Sequence, residues 1–349
     1  MKIALVAAAS SVHTQRWANS FAELGHEVRI YPYNGAVGDL HYHPEVRITP
    51  VGKFSVFGIF RAAARLRGEL AAFAPDIVHA HYATSPATLA RLAGVKGGVV
   101  SVWGSEVFSF LQKGPPARAL LRYSMGAAYA VTSSSHVMAG RAAWFCGEDK
   151  IRVIPFGVDT VRFCPQPREA DGSVRLLMAK SLEPIYGYDT LLPALAAAKA
   201  ALPREDQPKL ELILYGEGPY RGHIAAQAEK LGLVGNVKMP GALENGQMPA
   251  ALAACDMAVL PSYEESFGVS AVEAMACSRA VVCSDAPGLC EVVRDGASGL
   301  IVPRRDSAAF TASRSIPLVT GASGSVATSV DWVSIISFDK DDIVGLNKG

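Results

Sequence analysis

Apolar residues along the chain come in two alternating patterns. Short continuous runs occupy 2–8, 27–31, 46–49, 76–80, 98–103, 128–132 and 150–154, and these predict buried strands. Between them, apolar positions recur every three or four residues over 13–24, 59–73, 85–92, 118–125 and 136–145, the spacing of one helix face. Gly25 closes the first of these helices. After Pro155 the pattern lapses over 156–172, a stretch carrying Pro165 and Pro167 that reads as an inter-domain linker. It then restarts, with strands over 174–179, 210–215, 236–239, 257–260, 280–284 and 300–302. The helices between them are expected over 187–201, 219–231, 247–254, 269–277 and 289–293. Strand and helix in strict alternation imply a parallel sheet covered on both faces.

The expected organisation is therefore α/β, with two doubly wound Rossmann-like domains facing a cleft. The first spans 1–155 and the second 173–310, and ligands are expected at the carboxyl ends of both sheets. From 311 to 349 the chain is rich in Ser, Thr, Gly and Val and lacks a helical stripe through Val330, so it reads as an atypical tail, frameshifted or disordered.

Composition narrows this picture. Half of the 349 residues are hydrophobic and 19% are charged, enough to bury two cores. A formal charge of +1 gives no global field for nucleic acid, so an anion site must be local. The six cysteines form no C-x-x-C pair, which fits a reduced, cytoplasmic chain. Met1-Lys2 before an apolar run imitates a short signal peptide. The helical pattern that follows at once favours a first buried strand instead.

Chemistry concentrates in Pro261-Ser-Tyr-Glu-Glu-Ser-Phe-Gly-Val-Ser-Ala-Val-Glu-Ala-Met-Ala276. Glu265 falls on the loop after a strand and Glu273 inside the next helix. Between them Gly268 permits close backbone approach, and the amides of Phe267, Gly268 and Val269 at the helix start suit a phosphate. One carboxylate can then accept from sugar hydroxyls and the other from ribose. The competing reading is a capping box, since Ser270-Ala-Val-Glu273 is S-x-x-E.

With its flanks, this segment resembles the signature P-S-x-x-E-x-F-G-x-x-x-x-E-A-M-A of the family 4 retaining glycosyltransferases (group 1), which have the GT-B fold. Gly216-Glu-Gly-Pro219, Ile154-Pro-Phe-Gly-Val-Asp159 with Phe163, Asp76-Ile-Val-His-Ala-His81 and Glu291-Val-Val-Arg-Asp-Gly-Ala-Ser-Gly299 extend the resemblance from residue 1 to about Phe310. It implies a nucleotide-sugar donor, Glu265 as the catalytic-site carboxylate on the donor sugar, Glu273 on the ribose, and no cofactor or metal. It also implies a saccharide or lipid-linked acceptor in polysaccharide or glycolipid biosynthesis.

Several positions qualify the resemblance. The family provides two cations for the diphosphate; Lys180 matches the first, while Ile185 stands where the second, a Lys, is usual. At Val102-Trp-Gly-Ser-Glu106, Trp103 and Glu106 replace the His and Asp of T-x-H-G-x-D. Trp cannot act as a base, but its ring can stack on a sugar. Ser11 and His13, at the first strand-to-helix turn, fit phosphate or acceptor contact or a plain helix start; His79 and His81 fit buried structure or site. Gly216 and Gly218 make a lone G-x-G with a misplaced third glycine at Gly222, a weak dinucleotide signal, and the resemblance places Gly216 among the donor-binding residues instead. Phe54-Ser-Val-Phe-Gly-Ile-Phe-Arg61 with Arg65 and Arg67 reads as a core helix or as a contact with the inner leaflet of a membrane. A nucleotide-sugar 2-epimerase of the same architecture and a truncated, non-catalytic nucleotide-sugar binder remain alternatives.

Overall fold

The computed structural model describes residues 1–33, 40–52, 58–168, 171–312, 316–319 and 326–330. The chain divides into two compact units, Met1–Pro155 and Phe156–Gly349.

The first unit holds a seven-stranded sheet of order β3-β2-β1-β4-β5-β6-β7. Its strands are β1 (Lys2–Val6), β2 (Glu27–Ile30), β3 (Arg47–Ile48), β4 (Ile77–His81), β5 (Val99–Val102), β6 (Ala130–Ser133) and β7 (Ile151–Val153), all parallel. β1 is flanked by β2 and β4, which explains its unbroken apolar run. Its residues alternate between two cores. Ala4 and Val6 join the cluster around Leu66, Leu89 and Leu121, whereas Ile3 and Leu5 pack with Ala18 and Ala22 of the helix Val12–Glu23. Each fully buried Leu or Ile contributes about 1.5–3 kcal/mol, so both faces hold the strand in register.

The second unit repeats the plan in six parallel strands, order β10-β9-β8-β11-β12-β13. These are β8 (Val174–Ala179), β9 (Leu210–Tyr215), β10 (Val237–Gly241), β11 (Met257–Leu260), β12 (Ala280–Ser284) and β13 (Leu300–Val302). Leu176 and Met178 face one core and Leu177 the other. In both sheets the strand order reverses once, between β1 and β4 and between β8 and β11. Loops diverge at such a point, leaving a crevice at the strands' carboxyl ends.

Segments outside the regular pattern are also placed. Within 156–172, expected as a linker, Phe163 is fully buried against Leu177, Cys255 and Leu260 of the second core. Arg168 donates to Asp256 at 2.6 Å and to the Ala254 carbonyl. The described part of that stretch thus packs on the second unit. The last helix, Ser307–Ala312, is pinned by buried Phe310 and by Thr311, whose hydroxyl donates to the Ala194 carbonyl. Beyond it, β14 (Ile316–Val319) and β15 (Val326–Val330) pair antiparallel; the rest of the tail lies outside the described residues. Residues 53–57 of the apolar and basic stretch also lie outside them. The helix that follows, Gly58–Phe73, buries Ala62, Ala63, Leu66 and Phe73 and exposes Phe60, Arg61 and Arg65. Among the described residues no helix is long and apolar enough to cross a membrane.

Tight loop packing at the carboxyl edge of the second sheet yields a stability prediction. Gly187 has φ of 79°, and a Cβ there would fall inside the van der Waals envelope of the Pro261 carbonyl oxygen. Gly232 has φ of 68° with open space around the same position. Gly187→Ala is expected to lower the unfolding free energy by more than about 3 kcal/mol, because backbone must move, and Gly232→Ala by only about 1–2 kcal/mol of backbone strain. Urea unfolding of both variants checks this; equal losses would contradict the packing described.

Candidate functional site

The reversal point of the second sheet carries the predicted donor residues. Lys180 directly follows β8 and Glu265 lies in the loop after β11; the ammonium donates to Glu265 Oε2 at 2.6 Å, with side chains 13% and 10% exposed. Burial opposes the charge on Lys180, but Glu265, Tyr186 and Glu273 together outweigh it and raise the pKa. The ammonium therefore stays charged across the neutral range. Tyr186 also sets its ring 5.4 Å from Lys180 Nζ.

The loop bearing Glu265 is held from two sides by glycines. Gly187 lies against Pro261, and the Tyr263 amide donates to the Ile185 carbonyl at 2.8 Å. On the other side the Gly288 amide donates to the Glu265 carbonyl, and a Cβ on Gly288 would stand 2.5 Å from that oxygen. Gly216 is pressed onto the Lys180 carbonyl in the same way, which by itself accounts for glycine there. Neither Gly187 nor Gly288 was singled out from the sequence, because the backbone each one abuts is distant along the chain.

The helix Val269–Ala276 starts at Gly268, which adopts a left-handed conformation (φ 92°) as its N-cap without any side-chain cap. Ser270 is its second residue, so Ser270 and Glu273 do not form a capping box. The amides of Val269 and Ser270 precede the intrahelical ladder, whose first donors, Ala271 and Val272, bond the Gly268 carbonyl, and they lie at the positive end of the helix dipole. Phe267 is buried, with its ring edge-on to Phe156 at 5.9 Å. Glu273 is 8% exposed. Lys180, Glu265, Phe267, Gly268, Val269 and Glu273 are thus carried by the two elements flanking the reversal point. Ile185 brings no second cation to it.

The other predicted residues gather at the reversal point of the first sheet. Ser11 is the N-cap of the helix Val12–Glu23, its hydroxyl accepting from the Thr14 amide at 3.5 Å. His13 lies on that helix with its ring edge-on to Trp103 at 5.3 Å. Trp103 follows β5 and also packs against His81 at 4.9 Å. Both β4 histidines are buried: His79 pairs with the Ser101 hydroxyl at 2.7 Å, which pairs with Thr132, and His81 Nδ1 meets the Thr14 hydroxyl at 3.3 Å. Burial lowers His13 and His79 to about 4, Arg16 adding to the shift at His13, and holds His81 well below the ordinary value. All three are neutral at pH 7. The sequence also left Tyr82 and the bonding of Glu106 unread. Among the described residues no group of three or more His, Cys, Asp or Glu is arranged to hold a metal ion.

These histidines predict an acid response. Because their folded-state pKa is depressed, the unfolded chain binds more protons between about pH 6.5 and 4, and stability falls as pH falls through that window. His13 and His79 should each add a slope approaching about 1.4 kcal/mol per pH unit. His79→Gln should flatten the acid limb of the stability curve measured by denaturant unfolding from pH 7 to 4; an unchanged slope would show that His79 is not buried neutral.

Residues 163–314 match the family model described as glycosyl transferases group 1, and residues 2–135 that described as glycosyl transferase 4-like. The chain is 33% identical over 186 residues to a D-inositol 3-phosphate glycosyltransferase of Segniliparus rotundus, covering 49% of this chain and 40% of that protein. It is 32% identical over 242 residues to a GDP-mannose-dependent alpha-(1-6)-phosphatidylinositol monomannoside mannosyltransferase of Mycolicibacterium smegmatis, covering 64% and 61%. It thus spans about two fifths to three fifths of the length of these relatives. Among solved structures, sucrose-phosphate synthase from Thermosynechococcus elongatus superposes with a TM-score of 0.72 at 19% identity over 89% of this chain and 88% of its own. Anabaena HepE, solved with UDP and glucose, superposes at 0.71 and 19% over 89% and 87%. At such identities the likeness shows the fold, two Rossmann-like α/β domains of the GT-B type. The two matches fall one on each unit, the second unit on the group 1 model and the first on the 4-like model, so both units are similar to glycosyl transferases.

Proposed function

We propose that this chain is a retaining glycosyltransferase that moves a sugar from a nucleoside-diphosphate donor to a saccharide or lipid-linked acceptor in polysaccharide or glycolipid biosynthesis. The observation that carries the reading is the Lys180–Glu265 pair at the reversal point of the second sheet, beside the helix start at Gly268. When the glycosidic bond to the diphosphate breaks, negative charge grows on the leaving group and positive charge on the sugar ring. Lys180 and the first-turn amides are the groups suited to the leaving charge, and being fixed beforehand they need no reorganisation. Glu265 accepts from donor-sugar hydroxyls and sits where it favours the cationic ring. Glu273 accepts from the ribose.

The names of the relatives point to a polyol or inositol-bearing glycolipid acceptor. In this reading the exposed Phe60, Arg61 and Arg65 meet the inner leaflet where such a lipid resides.

Nucleotide release tested over UDP- and GDP-sugars, with and without acceptor, checks the proposal. Release is expected to depend on acceptor and to fall about 10²–10³-fold in Glu265→Ala and Lys180→Met, since each removes a preorganised electrostatic partner. Glu273→Ala is expected to raise the donor KM more than it lowers kcat. Activity surviving both glutamate substitutions would sink the assignment. Sugar isomerisation with donor alone would favour an epimerase of the same architecture, and donor binding without any turnover a non-catalytic binder.

A further inference from the structure

The loops leaving β4 and β5 contain two features that are costly unless something depends on them. Glu106 is 1% exposed and has no basic side chain as a partner among the described residues. Its carboxylate instead accepts from three backbone amides: Trp103 at 3.0 Å and Ala83 at 3.4 Å on Oε1, and Gly104 at 3.0 Å on Oε2. Burial pushes its pKa up, and its own backbone amide together with those of Trp103, Ala83 and Gly104 pulls the other way. A buried carboxyl is tolerated when its lone pairs are so filled. The second feature is Tyr82, with φ of 89° although it carries a bulky side chain. Such a conformation is strained for a residue with a Cβ and persists only where neighbours over-determine it. Here the Tyr82 amide donates to the Ser101 carbonyl at 2.9 Å, its hydroxyl bonds that of Ser105, and the next amide, Ala83, is held by Glu106.

Both devices end at the same place. The Tyr82 ring stands edge-on to Trp103, with centroids 6.0 Å apart at 88°, and both residues are only partly buried. His81 and His13 close the other sides of the indole. An indole fixed in this way presents apolar surface at the reversal point of a parallel sheet, and the C–H face of a sugar ring is the natural complement to such a surface.

We propose that Glu106 is a positioning residue: through the amides of Trp103, Gly104 and Ala83 it holds Trp103 and Tyr82 as an aromatic platform for the ring of the saccharide acceptor. This rests on the transferase reading above. Glu106 touches no substrate; it acts by fixing two loops that β4 and β5 alone would leave free to separate.

Two readouts test it on the full chain. In the first, acceptor and donor KM are measured in Glu106→Gln, Trp103→Ala and the double variant, with donor affinity from calorimetry with UDP and GDP. Glu106→Gln and Trp103→Ala should each raise the acceptor KM about tenfold or more and leave UDP and GDP affinity within twofold. The double variant should be no worse than Trp103→Ala alone, because both changes remove one platform. Independent, multiplying effects, or a loss confined to donor affinity, would overturn the proposal. In the second, tryptophan fluorescence is titrated with methyl α-mannoside and methyl α-glucoside. Quenching in the wild type that is absent in the conservative Trp103→Phe and about tenfold weaker in Glu106→Gln supports the platform whether or not turnover is seen. No quenching by either sugar in the wild type would overturn it. Quenching without nucleotide release from any donor would leave the platform standing and sink the transferase reading alone.

Discussion

Everything proposed for the second unit depends on a charge pair held where the strand order reverses. A Lys and a Glu 85 residues apart in sequence meet at 2.6 Å, largely removed from water, because β8 and β11 are neighbours whose following loops diverge. Removing one partner would strand the other charge in a site that desolvates it, typically a matter of 3–5 kcal/mol, so the pair is fixed as firmly as the sheet beneath it. The surrounding glycines follow from the same requirement. Gly216 lets its loop lie on the Lys180 carbonyl, and Gly187 and Gly288 let neighbouring loops clasp the Glu265 segment. The result is a cation, a carboxylate and a helix N-terminus whose positions are set before any ligand arrives.

The first unit reaches a comparable rigidity by different chemistry. No ion pair is recorded at its reversal point among the described residues. Instead three neutral histidines, Trp17 and Trp103 pack ring to ring, and a buried carboxyl ties the loop backbones. A neutral aromatic surface suits a neutral polyhydroxylated ring, as a charged cradle suits a diphosphate. In the proposed reading, this chemical division between the two sheets would serve acceptor and donor respectively.

The periodic signals made most of the fold legible. Strands such as 174–179, 210–215 and 257–260 were read to the residue, since in a parallel sheet covered on both faces a strand is apolar nearly throughout, Arg175 and Glu211 being the exceptions here. The donor segment was legible for another reason: Glu265, Phe267, Gly268 and Glu273 are local in sequence, so their spacing on a loop and helix is visible in one dimension. What escaped was long-range. The S-x-x-E reading of Ser270 failed because Gly268 takes the cap in a left-handed conformation, where Leu289 and Val292 leave no room for a side chain. Glu106 looked like a swap for Asp at a motif position; only the fold brings the Ala83 amide, 23 residues away, to the same oxygen as that of Trp103. Phe163, inside a stretch that reads as a linker, proved to be core because its pocket is built from β8 and β11.

The most direct measurement of the central claim is a crystal structure of the full chain with UDP or GDP bound. The diphosphate is predicted between the Lys180 ammonium and the amides of Phe267, Gly268 and Val269, with the ribose hydroxyls on Glu273 and Lys180 still paired with Glu265 as it is here. A diphosphate bound elsewhere would contradict the account.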